Sequence, residues 1–310
     1  MHVVFREGHG LEETETAVDL GQDPADLVVL SYSDSDLGAF AAGWRRGRSH
    51  LPALRLANLA ALRHPVAVDT YVERTLSGAR AILIRLIGGE AYWPYGLAAV
   101  QDLARRRGIA LAVLPADGQR DARLEALSTL PVATLHRLAA LCDAGGAVAA
   151  QAALAQLALA AGLYAAPVPG CKTVPDVGFY DPDRGVVAAP AAGPRPVLVI
   201  FYRSYLTAAD TAPVDALIRA LRAEGFDAAG AFAPSLKAPG VAGWLAAQLA
   251  ARPPVAIVNA TAFAAQDAVG ATPFDAVTCP VFQVALSTAR RRDWLTAARG
   301  LSPADLAMHV

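Results

Sequence analysis

Several short apolar runs in this sequence end in basic or aromatic residues, and one of these groups centres on Arg203. Its neighbours Tyr202 and Tyr205 carry phenol rings, which offer flat apolar faces. A guanidinium can bind a carboxylate through two parallel hydrogen bonds, so this group predicts a site for a partly flat ligand that carries carboxylates. The alternative is that Arg203 forms an ion pair with Asp210 in the same loop.

A second group consists of Arg85 and the loop of residues 88–96, here called the aromatic loop. The two glycines at its start permit a close backbone approach to another molecule. Tyr92, Trp93 and Tyr95 then place three rings within four residues, and these rings and Arg85 are predicted to contact a ligand of the same kind. The alternative is that the rings fill the end of a sheet or an interface between domains.

Two further groups of polar residues follow apolar runs in the second half of the chain. Lys237 is one of two lysines in the sequence, and Asn259 and Thr261 can donate and accept hydrogen bonds. All three are predicted to contact a ligand. The alternatives are a solvated Lys237 beside a turn shaped by Ser235, and Asn259 and Thr261 that bond only to loop backbone. Gln283 lies within an apolar run and needs a partner if it is buried.

The strongest sequence motifs for nucleotides, metals and nucleophilic catalysis are missing from this chain. It contains no G-x-G-x-x-G, no Walker A loop and no G-x-S-x-G elbow. The six histidines form no H-x-H or i, i+4 pair, and the three cysteines are far apart in sequence. We therefore expect that the chain itself holds no cofactor and no metal centre.

The charge balance disfavours two classes of partner. The formal net charge is −1, so no global field attracts nucleic acid or an anionic membrane surface. Residues 145–163 carry no charge, but alanine is their commonest residue, which predicts a helix of a soluble protein and not a membrane span. The few, scattered cysteines and the absence of a visible secretory signal predict a cytoplasmic protein.

The elements that must position these groups alternate between apolar runs and amphipathic segments. Strands are predicted at 27–32, 81–87, 109–114, 197–202, 226–232, 255–260 and 280–286. Helices are predicted at 34–46, 92–107, 213–224 and 241–251, with further helices between 131 and 163. Because the candidate residues follow strands, they are predicted to lie at the carboxyl ends of parallel strands, where open α/β sheets bind ligands.

This alternation predicts an α/β fold of two doubly wound, mainly parallel-sheet units of the Rossmann or flavodoxin-like type. The predicted domains are residues 1–165, with helices at the end, and residues 166–310, truncated at the C-terminal end. Prolines and glycines concentrate at 164–196, which predicts an extended connection between the units.

The sequence resembles the large subunit of aerobic cobaltochelatases in motifs that run in order through nearly the whole chain. Two of them are Tyr92-Trp93-Pro94-Tyr95-Gly96 and Phe201-Tyr202-Arg203. The others are residues 54–59, 64–65, 68–72, 88–89, 210–214, 235–237, 259–263 and 280–284. The H subunit of magnesium chelatase resembles the second-half motifs more than those of the first half.

The resemblance implies a subunit that binds hydrogenobyrinic acid a,c-diamide, a tetrapyrrole, for insertion of Co²⁺ in aerobic cobalamin biosynthesis. It also implies AAA+ ATPase partner subunits, which hydrolyse Mg-ATP, and catalytic residues downstream of residue 310, so that this chain alone is inactive. Three alternatives remain: a non-catalytic scaffold that docks the motor subunits, the equivalent region of a magnesium chelatase H subunit, and a free-standing ligand receptor.

Overall fold

A computed structural model describes residues 17–262, 270–287, 289, 291–296, 298 and 305–306. The chain divides into two compact units, each described by itself below. The first unit comprises Met1–Thr173 and Thr207–Ala209, and the second comprises Val174–Leu206 and Asp210–Val310. The division between Thr173 and Val174 lies within the predicted connection.

The first unit is built on a four-stranded parallel sheet. Its strands are β1 (Leu27–Ser31), β2 (Leu54–Asn58), β3 (Ala81–Leu86) and β4 (Ala110–Pro115). They lie in the order β2-β1-β3-β4, with Ser31 opposite Arg85 at the carboxyl ends of β1 and β3. Strand β2 was not predicted, because it is only half-buried and carries Arg55 in the middle of its apolar pattern.

Helices cover both faces of this sheet. They are α1 (Asp34–Arg46), α2 (Pro65–Arg74), α3 (Pro94–Arg107), α4 (Ala122–Leu127), α5 (Val132–Ala144) and α6 (Gly146–Ala160). Helices α2 and α3 share one apolar core with the sheet, whereas α1, α5 and α6 share the other. Ser33 caps α1, and Gly108 ends α3 with a φ of 66°. Among the described residues, no helix combines the length and apolarity that crossing a bilayer requires.

The second unit contains a six-stranded mixed sheet. Its strands are β5 (Gly178–Asp181), β6 (Gly185–Val187), β7 (Pro196–Tyr202), β8 (Asp227–Ala233), β9 (Ala256–Asn259) and β10 (Val281–Gln283). The order is β10-β9-β7-β8-β5-β6, and β5 pairs in antiparallel fashion with both β8 and β6, whereas the other pairs are parallel. Its helices are α7 (Ser204–Thr207), of which only the last residue is assigned to the first unit, α8 (Ala212–Ala223), α9 (Val241–Ala251) and α10 (Arg291–Thr296).

The hairpin of β5 and β6 corrects the prediction of a wholly extended connection at 164–196. Asp181 Oδ1 accepts hydrogen bonds from the backbone N–H of Asp183 (2.9 Å) and of Arg184 (3.0 Å). Pro182 suits the second position of this turn, and Gly185 follows it with a φ of 75°. The run Asp-Pro-Asp-Arg-Gly is therefore a hairpin signal that the high proline content of the region concealed.

The crossover helices place the carboxyl ends of β7 and β9 at a topological switch point. Helix α8 packs on one face of the sheet through Val214 and Ile218, and α9 packs on the other through Leu245 and Leu249. The chain passes from β7 to β8 on one side and from β9 to β10 on the other, so the direction of the connections reverses between β7 and β9, where α/β sheets open a crevice. The predicted groups around Arg203 and Asn259 lie at these two strand ends.

Candidate functional site

Tyr202 connects the carboxyl ends of β7 and β9. Its side chain is half-buried, and its hydroxyl donates a hydrogen bond to the backbone oxygen of Ala262, beyond the end of β9. Burial raises the pKa of the Tyr202 phenol, so it stays protonated and can keep donating this bond. Tyr202 therefore stiffens the crevice and leaves part of its ring accessible.

Arg203 is held by backbone carbonyl groups of the chain that opens the second unit. Its Nε donates to the oxygen of Pro175 (2.9 Å), and Nη2 donates to the oxygen of Val174 (2.7 Å). Within the described part of the chain, its one carboxylate partner is Asp176, 3.7 Å from Nε, and Arg203 keeps 24% of its side chain exposed. The alternative of an ion pair with Asp210 is wrong, because the guanidinium faces residues 174–176.

Tyr205 follows in the short helix α7 and packs edge-on against Phe201. The ring centroids are 6.4 Å apart and the planes meet at 69°. Burial, together with the nearby Asp210, raises the pKa of Tyr205 to about 12. Its ring thus packs against the last part of β7 through Phe201.

Asn259, Thr261 and Gln283 form a closed hydrogen-bonding group at the ends of β9 and β10. The side chain of Asn259, which is 3% exposed, donates to Gln283 Oε1 (2.8 Å) and accepts from Thr261 Oγ1 (2.9 Å). Gln283 in turn donates to the backbone oxygen of Thr261 (2.6 Å). These polar side chains bond to one another as well as to backbone, whereas the alternative interpretation expected bonds to loop backbone alone, and they shape the strand ends. Phe263, the last residue of this motif, lies outside the described residues.

Lys237 lies exposed after β8. Its backbone N–H donates to Ser235 Oγ (3.2 Å), so Ser235 shapes the turn and Lys237 extends into solvent. This arrangement agrees with the solvated alternative and still leaves an ammonium near the same edge of the sheet, since β8 lies next to β7.

In the first unit, Arg85 is buried, and this corrects the prediction that it presents its guanidinium to a ligand. Only 3% of its side chain is exposed. Nε donates to Asp36 (3.2 Å) and Nη1 donates to Asp143 (3.0 Å). Burial by itself would lower the pKa of Arg85, but the adjacent Cys142, Asp36 and Asp143 raise it by more than burial lowers it. The net pKa of Arg85 is therefore above its ordinary value, and the guanidinium stays charged. Arg85 therefore ties helices α1 and α5 to the end of β3.

The aromatic loop contains one buried ring and two exposed rings. Trp93 is 4% exposed and donates Nε1–H to the backbone oxygen of Leu62 (2.7 Å). This ring therefore fills space inside the unit, as the alternative interpretation of the aromatic loop expected. Tyr92 is 65% exposed and Tyr95 is 48% exposed, and the Tyr95 hydroxyl donates to Asp69 (2.8 Å). The loop is thus anchored by Trp93 and presents two tyrosines to solvent.

Gly88 is needed for this loop geometry. Its φ is 83°, and a Cβ at this position would lie 2.2 Å from the Tyr92 ring. The Tyr92 ring therefore lies directly over the backbone of Gly88, and this close approach is made by a ring of the same loop. The Tyr32 hydroxyl completes the anchoring with a hydrogen bond to the backbone oxygen of Tyr92 (3.0 Å).

Sequence reasoning missed the partners of both arginines. Asp36 and Asp143 lie 49 and 58 residues from Arg85, and Pro175 lies 28 residues from Arg203. No local pattern encodes pairs at such separations. The only available signal was Asp36 in the first turn of α1, where a carboxylate favours the helix N-terminus.

Comparisons with known proteins place the sequence among chelatase subunits. A family model described as CobN/Magnesium Chelatase matches residues 141–310. The aerobic cobaltochelatase subunit CobN of Sinorhizobium sp. is 36% identical over 328 residues, which cover 100% of this chain and 26% of that protein. The protein of the same name from Pseudomonas aeruginosa is 34% identical over 325 residues, which cover 100% of this chain and 25% of that protein.

A solved structure shows the same fold. The catalytic subunit of cobaltochelatase from Mycobacterium tuberculosis superposes with a TM-score of 0.66 at 24% identity, over 92% of this chain and 23% of that chain. This likeness confirms the predicted α/β architecture. The chain spans about a quarter of the length of the relatives that it matches.

Proposed function

Because this chain belongs to the CobN/magnesium chelatase family, we propose that it is part of the large, substrate-binding subunit of an aerobic cobaltochelatase. The subunit binds hydrogenobyrinic acid a,c-diamide, and Co²⁺ is the second substrate. Mg-ATP is hydrolysed on AAA+ ATPase partner subunits in the cytoplasm. The residues that accept the two pyrrole protons lie in other parts of the subunit, so this chain alone is inactive.

The observation that carries the proposal is the position of Arg203 within the matched region. Residues 141–310 include the carboxyl ends of β7, β8, β9 and β10. At this edge lies a partly exposed guanidinium, and two phenols, Tyr202 and Tyr205, are its neighbours along the chain. Among the described residues, its one carboxylate partner is Asp176, at 3.7 Å from Nε. A tetrapyrrole has flat apolar faces and a rim of carboxylates and amides, which matches this combination of groups.

Each residue at this edge has a role in the proposal. Arg203 binds a rim carboxylate, and the exposed Lys237 supplies a second cation. Tyr202 and Tyr205, which are near Arg203 in the chain, contact the ligand beside it. Asn259 and Thr261 bond to each other and so fix the end of β9 beside it. Preorganised positions of this kind reduce the entropy lost on binding.

A second candidate function is favoured for the first unit by the burial of two of its predicted contact residues. Arg85 and Trp93 are internal, so the aromatic loop offers only Tyr92 and Tyr95 to a large ligand. In this second proposal the first unit is a scaffold that docks the motor subunits, and the tetrapyrrole contacts only the second unit.

A ligand titration tests the main proposal. Hydrogenobyrinic acid a,c-diamide is added to the purified protein, and binding is followed by absorbance and by tryptophan quenching. Arg203→Ala is expected to weaken binding about ten- to a hundredfold, since a charge-assisted contact contributes roughly 1.5–3 kcal/mol. Arg203→Lys should recover part of the affinity, because an ammonium lacks the planar fork.

Arg219→Ala is the matched control. Arg219 belongs to the same unit, is 54% exposed and pairs with Asp183 away from the edge. It should bind like the wild type. Equal affinity of the wild type and Arg203→Ala would contradict the proposal, and tighter binding of protoporphyrin IX than of the corrin precursor would favour the magnesium chelatase alternative.

A further inference from the structure

We propose that Arg203 is a latch that substrate opens: a carboxylate of the tetrapyrrole takes the guanidinium away from residues 174–176 and releases them. Residues 174–176 are here called the anchor segment. This inference rests on the proposed tetrapyrrole-binding function and adds a conformational consequence to it.

The anchor segment depends on Arg203 for its hydrogen bonds. Among the described residues, the guanidinium is the only hydrogen-bonding partner of Val174 and Pro175, through their backbone oxygens at 2.7 and 2.9 Å. Asp176 adds an ionic contact at 3.7 Å, but its side chain is 86% exposed. A contact at this distance and exposure contributes little, because water screens it.

A substrate carboxylate competes well against these partners. The carbonyl groups of Val174 and Pro175 are neutral, so their bonds to Arg203 are charge-assisted only from the donor side. A substrate carboxylate adds the Coulomb attraction between opposite charges. A carboxylate can also accept two parallel bonds from one guanidinium. The exchange replaces two bonds to neutral oxygens with two bonds to an anion, so it favours the liganded arrangement.

Only the side chain of Arg203 has to move. Its backbone N–H donates to the oxygen of Ala233 (2.8 Å), which continues the pairing of β7 with β8 beyond Tyr202. The strand end therefore stays in place while the guanidinium turns from the carbonyl groups to the ligand. Once released, the anchor segment keeps the packing of Val174 against the core as its remaining support.

Limited proteolysis measures this release. The bond between Lys172 and Thr173 is a trypsin site beside the anchor segment, and Thr173 is exposed. A protease needs a locally unfolded stretch around the bond, so the cleavage rate follows the opening of the segment. Saturating hydrogenobyrinic acid a,c-diamide is expected to speed cleavage at Lys172 about three- to tenfold, although ligands usually slow proteolysis.

Two comparisons separate the latch from a general effect of binding. A fully amidated analogue of the same macrocycle has no carboxylate, so it should leave the cleavage rate at Lys172 unchanged when bound. In Arg203→Ala the segment has lost its partner, so Lys172 should be cleaved quickly without ligand and no faster with it. Arg219→Ala should behave like the wild type in both conditions.

The outcomes distinguish this inference from the function on which it rests. If the acid binds and cleavage at Lys172 is unchanged or slower, the latch is wrong and tetrapyrrole binding stands. If neither ligand binds, both proposals fail. If the acid and the amidated analogue speed cleavage equally, the segment opens for a reason other than Arg203, and the latch is again wrong.

Discussion

Arg85 and Arg203 occupy similar positions in the sequence, each near the end of an apolar run, but they have different partners. Arg85 is enclosed by Asp36 and Asp143, and its two charge partners compensate for its burial. Arg203 is bonded to neutral carbonyl groups and remains partly exposed. The buried ion pairs of Arg85 stabilise the fold only while all their charged partners are present, since removing one leaves a charge uncompensated. The guanidinium of Arg203, by contrast, remains available to an anionic ligand.

The first prediction concerns Arg85. Arg85→Ala should lower the free energy of unfolding by roughly 3–5 kcal/mol, because it leaves two carboxylates close together without their cation. Tetrapyrrole affinity should change little in the fraction that remains folded. Denaturant unfolding and a ligand titration of the same variant measure both quantities.

The control for Arg85 is Arg106→Ala. Arg106 is 69% exposed and pairs with Asp102 at 2.6 Å on the surface of α3, so its loss should cost less than about 1 kcal/mol. Normal stability of Arg85→Ala combined with lost tetrapyrrole binding would show that Arg85 is a ligand contact after all.

At the scale of elements, the hairpin of β5 and β6 is fixed to helix α8 by charged groups. Arg222 donates to Asp181 (2.7 Å) from Nη2 and to the backbone oxygen of Ala228 (3.0 Å) from Nε. Tyr180 donates to Asp215 (2.7 Å) at the start of the same helix. The hairpin therefore extends the sheet beyond β8 and contributes Tyr180 to the core beside Phe201.

A pH dependence follows for Asp181. Burial by itself would raise its pKa, but the bond from Arg222 and the backbone N–H of Asp183 lower it below the ordinary value of 3.8. A depressed carboxyl pKa contributes stability above the unfolded value, and this is lost as the pH falls through the folded pKa. Asp181→Asn should therefore destabilise the protein by about 1–3 kcal/mol at pH 7. The difference from the wild type should shrink below pH 3.8, and an equal difference at pH 7 and pH 3 in denaturant unfolding would contradict this assignment.

Helices α1 and α6 approach each other closely at Gly43. A Cβ on Gly43 would lie 2.5 Å from the backbone nitrogen of Gln151 and 2.9 Å from the carbonyl carbon of Ala150. Gly43→Ala should therefore lower the free energy of unfolding by about 1–3 kcal/mol, although alanine favours helix formation. The thermal midpoint and the denaturant midpoint should both fall.

Gly243→Ala is the matched control for Gly43→Ala. Gly243 lies in helix α9, and a Cβ there would meet no atom within 4 Å. This substitution should raise stability by roughly 0.5–1 kcal/mol, since glycine costs more backbone entropy in a helix. Opposite signs for the two substitutions are expected, and a stabilised Gly43→Ala would refute the close approach of α1 and α6.

At the scale of the whole molecule, the two units repeat one strand order. In the first unit the parallel strands lie in the order β2-β1-β3-β4, and in the second unit the order β8-β7-β9-β10 is equivalent. Each unit therefore has a topological switch point between two adjacent strands, β1 and β3 in the first unit and β7 and β9 in the second. Arg85 lies beside the first switch point, and Asn259 lies beside the second. The two α/β units and the membership of the chelatase family, both predicted, are confirmed by the solved relative and by the family match.

The helices and strands could be predicted from the sequence more fully than the candidate functional site could. Predicted strands at 27–32 and 197–202 correspond to β1 and β7, because both are continuous buried apolar runs. Strand β2 and the hairpin of β5 and β6 were not predicted, because short, half-exposed strands carry polar residues and turn residues in place of continuous apolar runs.

The sequence by itself determined the alternation of strands and helices, the α/β class and the family, because apolar periodicity and motif residues are local properties of the chain. Only the tertiary structure decided which candidate side chains stay accessible. Arg85 was enclosed by carboxylates 49 and 58 residues away, and Arg203 was bonded to carbonyl groups 28 and 29 residues away. The accessibility of a charge depends on such distant partners, and they are brought together only when the sheet and its crossover helices pack.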